Sequence, residues 1–355
     1  MKTVVVTDAF MTEAFYRKCF AGFPQFEITN VVFFGTPDRL SMRVPVHKIE
    51  REGAEAVEPP QELYDVIGDA EVLMVHLCPV NKKLISMAKN LKVILTNRGG
   101  LENVNVQAAT EAGIPVLNNP AHNANSVAEL TIGLMISEMR NLARTHTFLE
   151  NNVWQEKFHN SSTIHEIKGS TVGLIGFGNI GRRVARKLTV FDCKVLVHDD
   201  WVSPDDPDLA KYNATWVPLD TLMRESDIVS LHLRCDTRRI FREDLEKMKP
   251  TAYFINTARP HLVDNDCLYE MLRDGKLMGA AFDVFMNEPM KPEDDYLKLD
   301  NVTLSNHRGG DTVNCYSDSP AMLLEECTKL FNGQEPLFWP NKKELEEAGV
   351  KAPTW

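Results

Sequence analysis

The sequence predicts an α/β protein built from two doubly wound parallel sheets, and three observations carry that reading. Its 355 residues suffice for about two domains at roughly 150 residues each. Short Val/Ile-rich runs alternate with helical patterns from end to end, as parallel βαβ units require. The alternation also restarts after a cluster of turn residues, Asn118-Asn119-Pro120. A composition of 43% hydrophobic and 25% charged residues supports a core in each half and gives no sign of disorder.

The first set of strands is expected at residues 3–7, 28–34, 71–77, 92–96 and 115–117. A helix follows the turn cluster, with Ser126 and Glu129 spaced as a capping box. Ile132, Met135, Ile136, Met139, Leu142 and Ala143 then share one face. That stripe serves equally a helix packed on its own sheet and a helix that joins a second copy of the chain. The second set of strands is expected at 171–176, 194–199, 227–233, 252–257, 279–284 and 302–305. A last helix covers 321–332, and a charged tail at 342–349 carries no assigned structure.

Charge narrows the partners. With 50 acidic against 39 basic residues, the net charge of -11 repels phosphate backbones and anionic lipid, so neither nucleic acid nor membrane is expected. No apolar run reaches about 18 residues, and the apolar start of the chain breaks at Asp8, so no signal peptide is expected. Seven scattered cysteines without a C-x-x-C pair read as free thiols in a reducing, cytoplasmic setting. No metal site is assigned.

The strongest motif is Gly176, Gly178 and Gly181 in G-x-G-x-x-G spacing, after an apolar strand and before a helical run at 182–188. In a dinucleotide site the first glycine makes a tight turn, the second admits the pyrophosphate, and the third lets helix and strand pack closely. Free N–H groups at the helix start face the phosphates. Asp199 ends the next expected strand eighteen residues after Gly181, where a carboxylate holds ribose hydroxyls and repels the extra phosphate of NADP. The cofactor expected is therefore NAD.

Three polar residues stand at later strand ends, where ligands bind in open α/β sheets: Arg259, Glu288 and His307. Oxidising a 2-hydroxy acid needs a cation for the carboxylate, a base for the hydroxyl proton and a group that tunes the base. Arginine holds a carboxylate through two parallel hydrogen bonds. Histidine takes and returns a proton near neutrality, and a neighbouring carboxylate fixes its ring.

Those residues lie in Asn256-Thr257-Ala258-Arg259-Pro260, in Asp283-Val284-Phe285-Met286-Asn287-Glu288-Pro289, and in Asn306-His307-Arg308-Gly309-Gly310. Taken in order behind the glycine motif, the three strings resemble the D-isomer-specific 2-hydroxyacid dehydrogenases, a family that includes phosphoglycerate dehydrogenases and hydroxypyruvate reductases. The resemblance covers nearly the whole chain. It implies a Rossmann NAD-binding domain at residues 120–308, inserted in a flavodoxin-like substrate domain formed by 1–119 and 309–355. It implies that Arg259 binds the substrate carboxylate, that His307 is the acid/base and that Glu288 is its partner. Asn179 and Ile180 would lie under the pyrophosphate. Leu233, Thr257, Ala258, Arg259, Asp283, His307 and Gly309 would line the cofactor.

In the same family the loop Asn97-Arg98-Gly99-Gly100-Leu101 faces the cofactor cleft. Arg98, Gly99 and Gly100 are thus the expected substrate contacts, with Arg98 able to hold a distal phosphate and equally suited to a solvated surface or a structural salt bridge. The implied substrate is a small 2-hydroxy or 2-keto acid, 3-phosphoglycerate or hydroxypyruvate and glyoxylate among them, handled by a homodimer. Two departures stand out: Pro260 replaces the usual Gly and biases Arg259 towards extended backbone, and Asn306 replaces the usual Pro. Glu288 argues against a formate dehydrogenase, where Gln is common. An NAD-responsive binding protein on the same fold is the alternative from another class.

Overall fold

Val4, Val5 and Val6 show how the first sheet is built: consecutive residues point to opposite faces, and all three are buried, so both faces are covered. The computed structural model describes residues 1–235 and 237–355. It divides into two compact units, residues 1–122 with 312–355, and residues 123–311.

The first unit holds β1 (Lys2–Thr7), β2 (Glu27–Phe33), β3 (Val72–Val75), β4 (Val93–Thr96) and β5 (Val116–Asn118). All pairings are parallel, in the order β2-β1-β3-β4-β5, which is the flavodoxin-like arrangement. One face packs Val4, Val6, Leu73, Val75 and Ile94 into a core. The other packs Val5, Met74 and Leu95 against Leu323, Leu324, Cys327 and Leu330. Those last four lie on the helix Ser319–Phe331, so the returning chain completes a face that Met11, Tyr16, Phe20 and Phe26 cover only in part. The charged tail, left without an assigned structure by the sequence, forms the helix Lys342–Glu347. Its anchor is Asn341, which is buried and satisfies both the N–H of Val116 (3.0 Å) and the carbonyl of Ile114 (3.0 Å).

The second unit holds β6 (Thr171–Ile175), β7 (Lys194–His198), β8 (Ala214–Trp216), β9 (Ile228–Leu231), β10 (Tyr253–Asn256), β11 (Gly279–Phe282) and β12 (Val302–Leu304). The sheet is parallel throughout, in the order β12-β11-β10-β9-β6-β7-β8. The order reverses between β6 and β9, the point where an open α/β sheet forms a ligand crevice. Sequence patterning missed β8, an edge strand of three residues, Ala-Thr-Trp, without an apolar run.

The helix after the turn cluster spans Ala124–Met139 and buries Ile132, Met135 and Met139 in the core beside β6 residues. Its expected capping box is absent. The helix starts before Ser126, whose hydroxyl instead donates to the Gly309 carbonyl (2.7 Å), and Glu129 pairs with Lys187. The expected single stripe also ends early. Asn141, at φ 57°, breaks the helix, and the next one, Leu142–Glu150, has no buried side chain.

Candidate active site

At the switch point of the second unit, the strand β6 leads into the glycine turn. Gly176 sits at φ +101°, and a Cβ there would meet the His232 carbonyl carbon at 2.7 Å, so only glycine fits. Gly178 precedes the helix Asn179–Leu188 and has open space where a Cβ would stand. Gly181 faces the Gly176 carbonyl so closely that any side chain would collide with it. Among the described residues no side chain caps the helix, so its first N–H groups, starting with Asn179, Ile180 and Gly181, suit an anion. These features fit a dinucleotide pyrophosphate.

Asp199 follows β7 and is buried. One carboxylate oxygen accepts the Phe177 N–H (2.6 Å) and the other the Trp201 N–H (2.8 Å). It therefore ties the glycine turn to the neighbouring strand, with a further lone pair on each oxygen. Leu233 follows β9, and Thr257 and Ala258 follow β10, all on the same edge of the sheet. Thr257 shares a hydroxyl hydrogen bond with Thr131 (2.9 Å).

Arg259, Glu288 and His307 follow β10, β11 and β12, which are adjacent strands. Two strand spacings of about 4.8 Å bring their backbone exits within roughly 10 Å across the sheet. The His307 Nδ1–H donates to Glu288 Oε2 at 2.6 Å, and Glu288 Oε1 accepts the Phe285 N–H at 2.9 Å. Holding Nδ1 this way leaves Nε2 as the ring nitrogen that could exchange a proton with a bound molecule. His307 itself adopts the left-handed backbone, φ 57°.

Arg259 has extended backbone (φ -144°, ψ 142°), in keeping with the proline after it. Its guanidinium donates to its own Ala258 carbonyl (2.7 Å), and among the described residues no carboxylate pairs with it. Sequence reasoning passed over Asn256, which is buried and shapes this turn: its amide donates to the Arg259 carbonyl (3.1 Å) and accepts the Ala258 N–H (2.9 Å). Its polarity at the end of an apolar strand was the available signal. Asp283 is also buried, and its two oxygens accept the N–H groups of Arg308 and Gly309, both at 2.8 Å. The carboxylate thus holds the turn that presents His307.

In the first unit, Arg98 is ion-paired with Glu50 (2.8 Å) and lies 3.8 Å from Glu102. The cation expected to hold a distal phosphate is therefore neutralised. The Gly99 carbonyl accepts the Asn118 amide (2.9 Å), and a Cβ on Gly100 would collide with the Glu102 carboxylate. His76 is buried and hydrogen-bonded to Asp8 (3.0 Å). Burial pushes the Asp8 carboxyl up, but His76 and the N–H groups of Met11 and Phe10 outweigh it and hold it below the usual range. His122 is driven down to about 4, chiefly by burial.

A parallel sheet with an open glycine turn at its switch point, and a carboxylate–imidazole pair at its far strand ends, defines a nicotinamide-dependent oxidoreductase. Comparison with known proteins agrees. The model of the D-isomer specific 2-hydroxyacid dehydrogenase NAD binding domain matches residues 132–309. A hydroxypyruvate reductase from Thermotoga maritima is 38% identical over 300 residues, 82% of this chain and 95% of that protein. A glyoxylate reductase from Thermofilum pendens is 34% identical over 81% of this chain and 87% of its own length. Among solved structures, a D-isomer specific 2-hydroxyacid dehydrogenase from Lactobacillus delbrueckii ssp. bulgaricus, in an NAD-complexed form, covers 96% of this chain and 100% of its own at TM-score 0.73 and 22% identity, a likeness of fold. The chain belongs to the D-isomer specific 2-hydroxyacid dehydrogenase family. It is an NAD-dependent oxidoreductase.

Proposed function

We propose that the chain moves a hydride between NAD(H) and a small, unphosphorylated 2-keto acid, with hydroxypyruvate and glyoxylate the leading substrates. The observation that carries this is the 2.6 Å His307–Glu288 pair on strands beside Arg259, a cation with no carboxylate of its own among the described residues. Arg259 takes the substrate carboxylate through two parallel hydrogen bonds. The nicotinamide supplies the hydride. Protonated His307 donates from Nε2 to the carbonyl oxygen, while Nδ1–H stays on Glu288, whose charge stabilises the imidazolium. In the oxidative direction Nε2 takes the hydroxyl proton.

Gly176, Gly178, Asn179, Ile180 and Gly181 cradle the pyrophosphate in this reading, and Asp199 reads the ribose. Leu233, Thr257, Ala258, Asp283 and Gly309 shape the nicotinamide side. In the first unit, the loop of Arg98, Gly99 and Gly100 is the substrate loop of this reading. The Arg98–Glu50 pair supports an unphosphorylated substrate, since a distal phosphate would have to displace a carboxylate already in place. The relatives named hydroxypyruvate reductase and glyoxylate reductase support the same choice. NADH consumption against hydroxypyruvate, glyoxylate, pyruvate and 3-phosphohydroxypyruvate tests it. Preference for the phosphorylated acid would refute the substrate class, and no turnover at all would favour an NAD-responsive binding protein.

We also infer a cytoplasmic homodimer. Leu142, Leu149 and Trp154 are 53%, 54% and 79% exposed on or just after a helix with no buried side chain, a face suited to a second copy. Among the described residues no helix is long and apolar enough to cross a membrane, and all seven cysteines are free thiols. Light scattering should give twice the chain mass, and a monomer for Leu149→Glu; a monomeric wild type would refute the dimer.

A further inference from the structure

Behind the loop that carries Glu288 lies a cavity of about 200 Å³, lined by residues the reaction does not use. Phe282, Tyr269 and Tyr296 give it an aromatic corner. The Phe282 and Tyr296 rings are 4.9 Å apart, and Tyr269 stands perpendicular to Tyr296 at 5.8 Å. Tyr296 is fixed, its hydroxyl donating to the Asn265 carbonyl (3.2 Å). Asp266 and Asp294 also line the cavity, and among the described residues neither has a cationic partner, whereas Asp295 is paired with Lys298. Burial chiefly, then the charges of Asp266, Asp264 and Tyr269, pushes the Tyr296 phenol far up. The Tyr269 ring already has a cation over it, the Arg273 guanidinium at 5.8 Å.

Aromatic faces with unpaired carboxylates select a cation. A bare metal ion is a poor fit, because among the described residues no group of three or more His, Cys, Asp or Glu converges to hold one. A primary ammonium would use only the carboxylate oxygens of Asp266 and Asp294 and leave the aromatic corner unused. A methylated ammonium needs only ring faces and nearby charge. The cavity is smaller than the roughly 300–1,000 Å³ of ordinary ligand pockets, so the ligand must be small. Phe285, Met286, Asn287 and Met290 also line it, and the Phe285 N–H donates to Glu288. A ligand there presses on the loop that positions the partner of His307.

We propose that this cavity binds a small methylated ammonium ion and that its occupancy tunes the Glu288 loop; the tuning, unlike the binding, rests on the catalytic reading above. The test is calorimetric titration of the NADH-bound protein with choline and with 3,3-dimethylbutan-1-ol, its neutral carbon isostere. Choline should bind at least about ten-fold more tightly than the isostere. Tyr269→Ala and the conservative Asp266→Asn should each weaken choline several-fold at unchanged NADH affinity, which shows that both variants fold. Equal binding of the isostere, no saturable choline binding, or choline affinity unchanged in both variants would overturn the site. For the tuning, choline should alter kcat/KM for hydroxypyruvate in the wild type and not in Asp266→Asn. Tight choline binding with unaltered kinetics would overturn the tuning. Titration needs no turnover, so absent ketoacid reduction would defeat the catalytic reading and leave the binding result readable.

Discussion

Asp283→Asn tests how much of catalysis depends on one turn. The wild-type carboxylate is 1% exposed and accepts two N–H groups at 2.8 Å, so it pins Arg308 and Gly309 and holds His307 at φ 57°. Hydrogen bonds to a charged group contribute about 1.5–3 kcal/mol each. An asparagine keeps one neutral acceptor and turns an NH2 donor towards the second N–H. The loss is then roughly 3–4 kcal/mol, counting the stranded N–H. The left-handed backbone of His307, which costs roughly 1–2 kcal/mol, adds a drive to relax. A turn destabilised by that much leaves His307 against Glu288 only a small fraction of the time. By the tenfold-per-1.4 kcal/mol rule, kcat/KM for hydroxypyruvate should fall about 100- to 1,000-fold. Steady-state NADH oxidation reads this directly, with melting and NADH affinity as controls. Gly309→Ala should give the same kinetic signature, because its Cβ would stand 2.9 Å from Asp283 Oδ2 and 3.3 Å from Val127 Cγ2. An Asp283→Asn enzyme keeping about half its kcat/KM would refute the reasoning, since the turn would then be held by something else.

Three further outcomes follow from the same geometry. His307→Ala should lower turnover by roughly 10²–10⁴ at unchanged NADH affinity, and Glu288→Gln should move the alkaline limb of ketoacid reduction to lower pH; near wild-type turnover or a static profile would contradict the pair. Asp199→Ser should narrow the preference for NAD over NADP and weaken both, because the Phe177 and Trp201 N–H groups lose their acceptor; fluorescence titration showing an unchanged ratio would remove Asp199 from ribose reading. Burial, with Arg144 adding to it at His159, holds His122 and His159 down at about 4 and His232 at about 3. Lowered below the unfolded value of about 6.5, each supplies stability above that pH and loses it as acid rises, roughly 2 kcal/mol apiece by pH 5. Glu138, pushed up to about 7 by burial against Arg144 and Thr303, has the opposite sign and offsets about one of the three. Urea unfolding should therefore show a clear net loss between pH 7 and 5, and a flat profile would contradict the buried-neutral assignment.

The sequence revealed what is periodic or local. Strands buried on both faces read as apolar runs, and the glycine turn announced itself by spacing and context. The residues Arg259, Glu288 and His307 were legible because each follows such a run. What stayed hidden was contact over long separations. Ser126 and Glu129 have capping-box spacing, yet Ser126 bonds to Gly309, which lies 183 residues away. Arg98 read equally as a cation for a phosphate or as half of a salt bridge, and only the structure supplied the partner, Glu50, 48 residues back along the chain. Asp283 read as a cofactor contact, and nothing in the local pattern showed that its oxygens also accept the N–H groups of Arg308 and Gly309, 25 and 26 residues on. The stripe from Ile132 to Ala143 predicted one helix, because nothing in its spacing marks Asn141 as left-handed.

Deuteride transfer tests the central claim most directly. NADH carrying deuterium at the transferable C4 position, incubated with hydroxypyruvate and the protein, should yield D-glycerate with deuterium at C2, read by NMR. Loss of the label in His307→Ala would tie the transfer to this site. If the protein binds NADH but passes no deuterium to hydroxypyruvate, glyoxylate or pyruvate, the hydride-transfer account fails.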